Sequence, residues 1–153
     1  MQAVTALINN KIFVSAATGW LVAQILKTMI HFIFTKQFNA ERLVGSGGMP
    51  SSHSATVCAL STAAFILHGP GSFEFAISLI LALIVMYDAI GVRRETGIQA
   101  KILNDMTKIF SDMGRDELDA YEKLKEFVGH TPMQVLAGAI LGIVLAIGIC
   151  NLL

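Results

Sequence analysis

An all-α integral membrane helical bundle, with about four transmembrane helices and one amphipathic cytoplasmic helical segment, is the fold class this sequence predicts. Three observations predict it. The composition is 54% hydrophobic and only 14% charged, with a mean hydropathy of +0.66, outside the balance of a soluble domain. The apolar residues gather into four blocks, at residues 12–34, 53–67, 73–92 and 132–153. The charges are segregated, with seven of eleven Lys/Arg and eight of eleven Asp/Glu between Arg93 and Glu126. A chain of 153 residues allows one membrane domain, 1–153. Its formal net charge of zero gives no electrostatic case for nucleic acid, which is not expected as a partner.

A helix needs ~20 residues to cross the hydrocarbon core, with ~17 tolerated. The third and fourth blocks meet this readily, the first does so while carrying Lys27 and His31, and the second is short. A polar residue inside a span is costly unless it faces protein or a water-filled cavity, so Lys27 marks function or snorkels to the interface. Residues 1–10 lack the basic start and Ala-x-Ala exit of a cleavable signal, so the first apolar run is expected to stay as an anchor. Gly69-Pro70-Gly71 turns the second block into the third as a hairpin. Cys58 and Cys150, each inside an apolar run, are expected to behave as small hydrophobes rather than as a disulfide or metal ligands.

Over residues 95–127 the pattern is helical and amphipathic. Ile98, Ile102, Met106, Ile109 and Met113 recur at spacings of three and four among charges. Such a segment can lie on the membrane, pack on the spans, or pair with another subunit, which leaves a homo-oligomer open. In the last block Gly138 and Gly142 form a Gly-x-x-x-Gly pair among alanines, a surface for close helix approach expected to act within the monomer. Lys and Arg counts orient the bundle: residues 35–52 carry Lys36 and Arg42, residues 93–131 carry seven, and the turn 68–72 carries none. With four spans, both basic segments fall on one side. The positive-inside rule makes that side cytoplasmic, so the expectation is a cell-membrane protein with a cytoplasmic helical loop at 93–131.

"GGMPSSHSA", residues 47–55, sets glycine, proline and serine at the mouth of an apolar helix. A helix start exposes unpaired N–H groups and the positive end of the dipole, which bind phosphate. Gly47 and Gly48 allow close backbone approach, Ser51 and Ser52 supply capping groups, and His53 sits where it can exchange a proton with a ligand. A second mouth has the same design, with His130 before Thr131 as a cap and Pro132 at the first helical position. Both helices run from one membrane face, so two imidazoles can converge there; His31 and His68 read as interfacial instead. "MYDAIGVRRETG", residues 86–97, adds Arg93 and Arg94, adjacent and so pointing apart, one of which can offer a bidentate fork to a tetrahedral oxyanion. Asp88, about one turn earlier, needs a cationic partner such as an Arg or Lys27.

These elements resemble a divergent branch of the phosphatidic acid phosphatase type 2 and vanadium haloperoxidase superfamily. "GGMPSSHSA" is similar to its Pro-Ser-Gly-His motif with Ser52 in place of Gly, and "GHTPMQVLAGAILG" to its closing His motif. The likeness to small membrane proteins described as acid phosphatase or vanadium haloperoxidase-related covers most of the chain, including residues 24–27. The resemblance implies His130 as nucleophile, His53 as general acid, and backbone N–H groups near Ser52 and His53 holding phosphate oxygens. It implies a cation at Arg42 or Lys27, since Lys36 and Arg42 stand one residue closer than the superfamily's first motif and Leu43 replaces its Pro. Lys123 and Leu124 stand where the closing motif has Ser-Arg, which leaves Arg93 or Arg94 as the replacement. Gln134 occupies the position of the Asp that orients the nucleophile. It can accept an imidazole hydrogen bond without stabilising an imidazolium by charge, and Glu126 lies one turn before His130 as a possible substitute.

The function so implied is a metal-independent membrane phosphatase acting on a lipid phosphate or pyrophosphate through a phosphohistidine. No cofactor is expected, because haloperoxidase chemistry needs a bound vanadate and only the resemblance points to one. The alternative is a non-catalytic phospholipid- or anion-binding carrier that keeps a decayed phosphatase pocket. A third reading is a structural subunit that docks through the amphipathic segment.

Overall fold

The structure, a computed structural model, describes residues 1–36, 48–112, 124 and 130–152, excluding the side chains of residues 93, 111 and 112. Its described elements are all helical: α1 (Gln2–Ile8), α2 (Lys11–Thr35), α3 (Ser52–His68), α4 (Phe73–Ile90), α5 (Val92–Asp112) and α6 (Pro132–Leu152). α2, the run from Phe73 to Phe110, and α6 are long and apolar enough to cross a membrane. Most of the large apolar side chains on these helices are exposed, as lipid-facing surfaces are.

Local chemistry sets the helix ends. Asn10 Oδ1 accepts from the Ile12 and Phe13 amides at 3.0 and 3.2 Å, starting α2. Ser72 Oγ accepts from Phe75 N at 3.2 Å and donates to Gly69 O at 2.9 Å. The same serine thus starts α4 and closes the predicted hairpin, where Gly69 takes a positive φ of 83°. At Gly91 the backbone leaves helical geometry, yet its N–H still bonds Tyr87 O at 2.9 Å and its carbonyl accepts from Glu95 N at 3.0 Å. α5 therefore follows α4 after one non-helical residue, Gly91.

α3 is the hub, packed against α2, α4 and α6. At 17 residues it is shorter than each of the three helices it packs against, and those neighbours explain its composition. Its buried residues include Ser54, Ala55, Ala59, Ser61, Ala63 and Ala64. A helix wrapped by others needs small side chains rather than hydrophobic ones, because the neighbouring helices take the place of lipid. The Gly-x-x-x-Gly pair acts inside the monomer: a Cβ at Gly138 would collide with the Ser51 carbonyl, and one at Gly142 with the Ala55 carbonyl. From the opposite side, a Cβ on Gly19 of α2 would stand 2.9 Å from the same Ala55 oxygen. Two glycines thus clasp α3 at one carbonyl.

Candidate functional site

The tight α3–α6 crossing brings the two helix mouths together. Ser51 N donates to Gln134 O at 3.0 Å, and His130 N donates to Ala89 O at 3.1 Å. The first bond joins the start of α3 to the first turn of α6. The second ties His130, two residues before α6, to the last turn of α4. His53 and His130 are consequently neighbours, with ring centroids 6.0 Å apart and planes inclined by 64°.

His130 is 2% exposed, and its orientation can be read from Gln134. Gln134 Oε1 lies 3.0 Å from Thr131 N and 3.2 Å from His130 Nδ1. A backbone N–H only donates, so the amide atom it meets is the oxygen. That oxygen only accepts, so Nδ1 carries the proton. In the neutral ring the lone pair then resides on Nε2, a buried atom. Gln134 does two things at once: it supplies an acceptor to α6's first turn and fixes the imidazole tautomer.

Ser51 and Ser52 are buried. Ser51 caps α3, its Oγ accepting from Ser54 N at 3.3 Å and from Ser54 Oγ at 3.0 Å. Both bonds use the acceptor side of Ser51 Oγ, so its own O–H is a donor that this mouth can turn to an anion beside the backbone N–H groups. The loop enters through Gly48, whose φ of +82° favours glycine. A Cβ there would sit 3.0 Å from Lys27 Cγ and Cδ, so the lysine stem runs along the loop just before Ser51. Lys27 is 3% exposed. It faces protein, and the snorkelling alternative falls away because the Gly48 loop and α3 cover its helix face.

Asp88 is half-buried, one residue before the Ala89 carbonyl that holds His130. Arg94 is exposed on the first turn of α5. Arg93 belongs to the same turn, and its side chain is not among those described. Arg42 and Glu126 lie outside the described residues, as do Met113 and Lys123. No group of three or more His, Cys, Asp or Glu that could hold a metal gathers among the described residues.

Sequence reasoning gave Gln24 no role beyond membership of a shared segment. It is 4% exposed, three residues from Lys27, and its Oε1 has no hydrogen-bond partner among the described residues. The available signal was a second polar residue inside the span at helical spacing from Lys27. Ala89, whose contribution is a carbonyl, had no side-chain signal to read.

Residues 8–145 match the Divergent PAP2 family, a stretch that includes Lys27, His53, Asp88, His130 and Gln134. The chain belongs to that family. It is 38% identical over 149 residues to the uncharacterized membrane protein YuiD of Bacillus subtilis (strain 168), covering 92% of this chain and 94% of that protein. No solved structure matches. The Divergent PAP2 family assignment makes the chain a PAP2-related membrane protein, and both conspicuous helix mouths fall within the matched region.

Proposed function

We propose that this protein is a metal-independent membrane phosphatase that hydrolyses a lipid phosphate or pyrophosphate through a phosphohistidine on His130. The observation that carries the reading is the facing of His53 and His130, 6.0 Å between ring centres, across two helix mouths. In-line transfer needs a nucleophile roughly 3–3.5 Å from phosphorus and an acid about 2.6–3.2 Å from the leaving oxygen. Taken in line, those two contacts and the P–O bond between them add to roughly 7–8 Å from nitrogen to nitrogen, so the rings, 6.0 Å apart between centres, must part to admit the phosphoryl group.

His130 Nε2 donates its lone pair to phosphorus, the P–O bond to the lipid alcohol or phosphate breaks, and His53 passes a proton to the departing oxygen. Water then attacks phosphorus, with His53 taking its proton, and His130 is released with inorganic phosphate. Backbone N–H groups at the start of α3 and the Lys27 ammonium balance the charge on the equatorial oxygens. The basic segments that the sequence predicts on one side favour the cytoplasmic face of the cell membrane for this chemistry.

Purified protein in lipid vesicles should release phosphate from some member of a lipid-phosphate panel, be inhibited by vanadate, and be indifferent to chelators. Silence across a broad panel, with His130→Ala equally silent, would sink the enzyme reading. Gln134 favours a second reading, a phospholipid- or anion-binding carrier, because a neutral amide gives the imidazolium no charge stabilisation. Retained phospholipid binding without turnover would identify the carrier.

A further inference from the structure

α5 carries its apolar stripe on the side turned away from its own protein. Its buried residues are Gly97 and Ala100, the latter 7% exposed. One turn further on, Asn104 donates to Leu124 O at 2.9 Å and accepts from Leu124 N at 3.1 Å. Residues 97, 100 and 104 share one helix face, and that face meets protein. Ile98, Ile102, Met106 and Ile109 share another, and they are exposed at 42%, 54%, 47% and 57%. A surface helix ordinarily buries its apolar stripe. Here the small and polar face is the packed one.

The occupant of the stripe must come from outside the described fold, since α5 packs against α4 alone among the described helices. Continuity with α4 decides which occupant. α4 is 18 residues long, about 27 Å at ~1.5 Å per residue, close to the ~30 Å of the hydrocarbon core. Ile77, Ile80 and Ile84 make its exposed surface apolar. Because α5 begins at Val92, two residues after α4 ends, its first turns stand where α4 leaves the hydrocarbon. Lys101 and Lys108 are exposed away from the stripe, as cations are on helices that lie in an anionic lipid surface. The hold of Asn104 on Leu124 keeps that part of the returning chain on the opposite face.

We infer that α5 is an interfacial membrane helix, its Ile98–Ile102–Met106–Ile109 stripe immersed at the headgroup–acyl boundary and its lysines turned to anionic headgroups. The assignment is independent of any phosphatase activity.

The test uses the full chain with Cys58→Ala and Cys150→Ala, reconstituted in phosphatidylcholine–phosphatidylglycerol vesicles. Single cysteines at Ile102, Met106 and Ile109, and for comparison at Lys101, Asp105 and Lys108, carry an environment-sensitive fluorophore. Acyl-brominated lipid should quench the first three several-fold more strongly than the second three. Equal quenching of both sets overturns the assignment. Lipid protection of the stripe that disappears on diluting protein into excess lipid would assign it to a second copy. Protection that persists at every dilution would assign it to residues 113–129 of the same chain. Either result also overturns the lipid assignment.

Discussion

Replacing Gly142 by alanine adds one methyl group at the point where α3 and α6 are closest. The added Cβ meets the Ala55 carbonyl oxygen, its carbon and its Cα, all backbone atoms of a helix held on its other side by Gly19. Nothing there can rotate away. Relief requires α3 and α6 to separate by about 1 Å to regain ordinary van der Waals distance, and overpacking of this kind costs roughly 1–3 kcal/mol. Gly148 provides the control, because it lies on the same helix and a Cβ there meets nothing within 4 Å. Both substitutions gain the same helix propensity, about 0.5–1 kcal/mol, so their difference isolates the packing term. Thermal unfolding in detergent, followed by helical circular dichroism and by the single Trp20, should place Gly142→Ala below Gly148→Ala. At roughly 2–4 °C per kcal/mol for a chain of this size, the gap is several degrees. Equal melting temperatures would refute the close crossing, and with it the argument that this crossing sets the separation of His53 and His130.

Four further outcomes follow, three from the site and one from α5. His53→Ala should slow hydrolysis of an alkyl phosphate by about 10²–10⁴-fold, and much less for an activated phosphate ester whose leaving group needs no proton; an equal loss on both substrates would remove the general-acid role. Gln134→Leu deletes the acceptor for both Thr131 N and His130 Nδ1 and should cost ~1 kcal/mol of stability as a lost cap. Gln134→Asp keeps an acceptor and adds charge, so phosphate release should rise; no change in a phosphate-release assay would show that charge at this position is not limiting. Asn104→Ala removes both hydrogen bonds to Leu124, and hydrogen exchange at the Leu124 amide should accelerate while exchange in α3 stays constant.

The long helices were legible because their signal is composition over a long window, which tertiary contacts do not alter. Residues 12–34 became α2 and residues 132–153 became α6 almost without adjustment. The shortness of the block at 53–67 was legible too, but its cause was not. α3 is short and rich in Ala and Ser because three helices surround it, and no periodicity within one segment reports what surrounds it. At the site, the two histidines were found from helix-start chemistry, which is local in sequence. The environment of Lys27 required the structure, because the loop that buries it comes from residues 20 and more positions away. The three possibilities for the amphipathic segment stayed open in the sequence for a similar reason. Its pattern gives the stripe, while the side that faces protein is set by Gly97, Ala100 and Asn104.

Gln134 illustrates how a substitution that reads as a loss in sequence acquires a second meaning in three dimensions. Compared with a superfamily aspartate, it removes a charge from beside His130. In this fold the same oxygen also receives the Thr131 amide at the start of α6, while the residue's backbone carbonyl receives Ser51 N from the start of α3. One residue therefore links both helix mouths and the imidazole. A carboxylate in its place would still accept from Thr131 N and from Nδ1, but it would bring a buried negative charge close to the anion of the proposed function. On that proposal the neutral amide favours anion binding at some cost to imidazolium stabilisation. That balance is what Gln134→Asp measures: faster turnover together with weaker phosphate affinity is the pair of changes expected when the same group orients a base and borders an anion site.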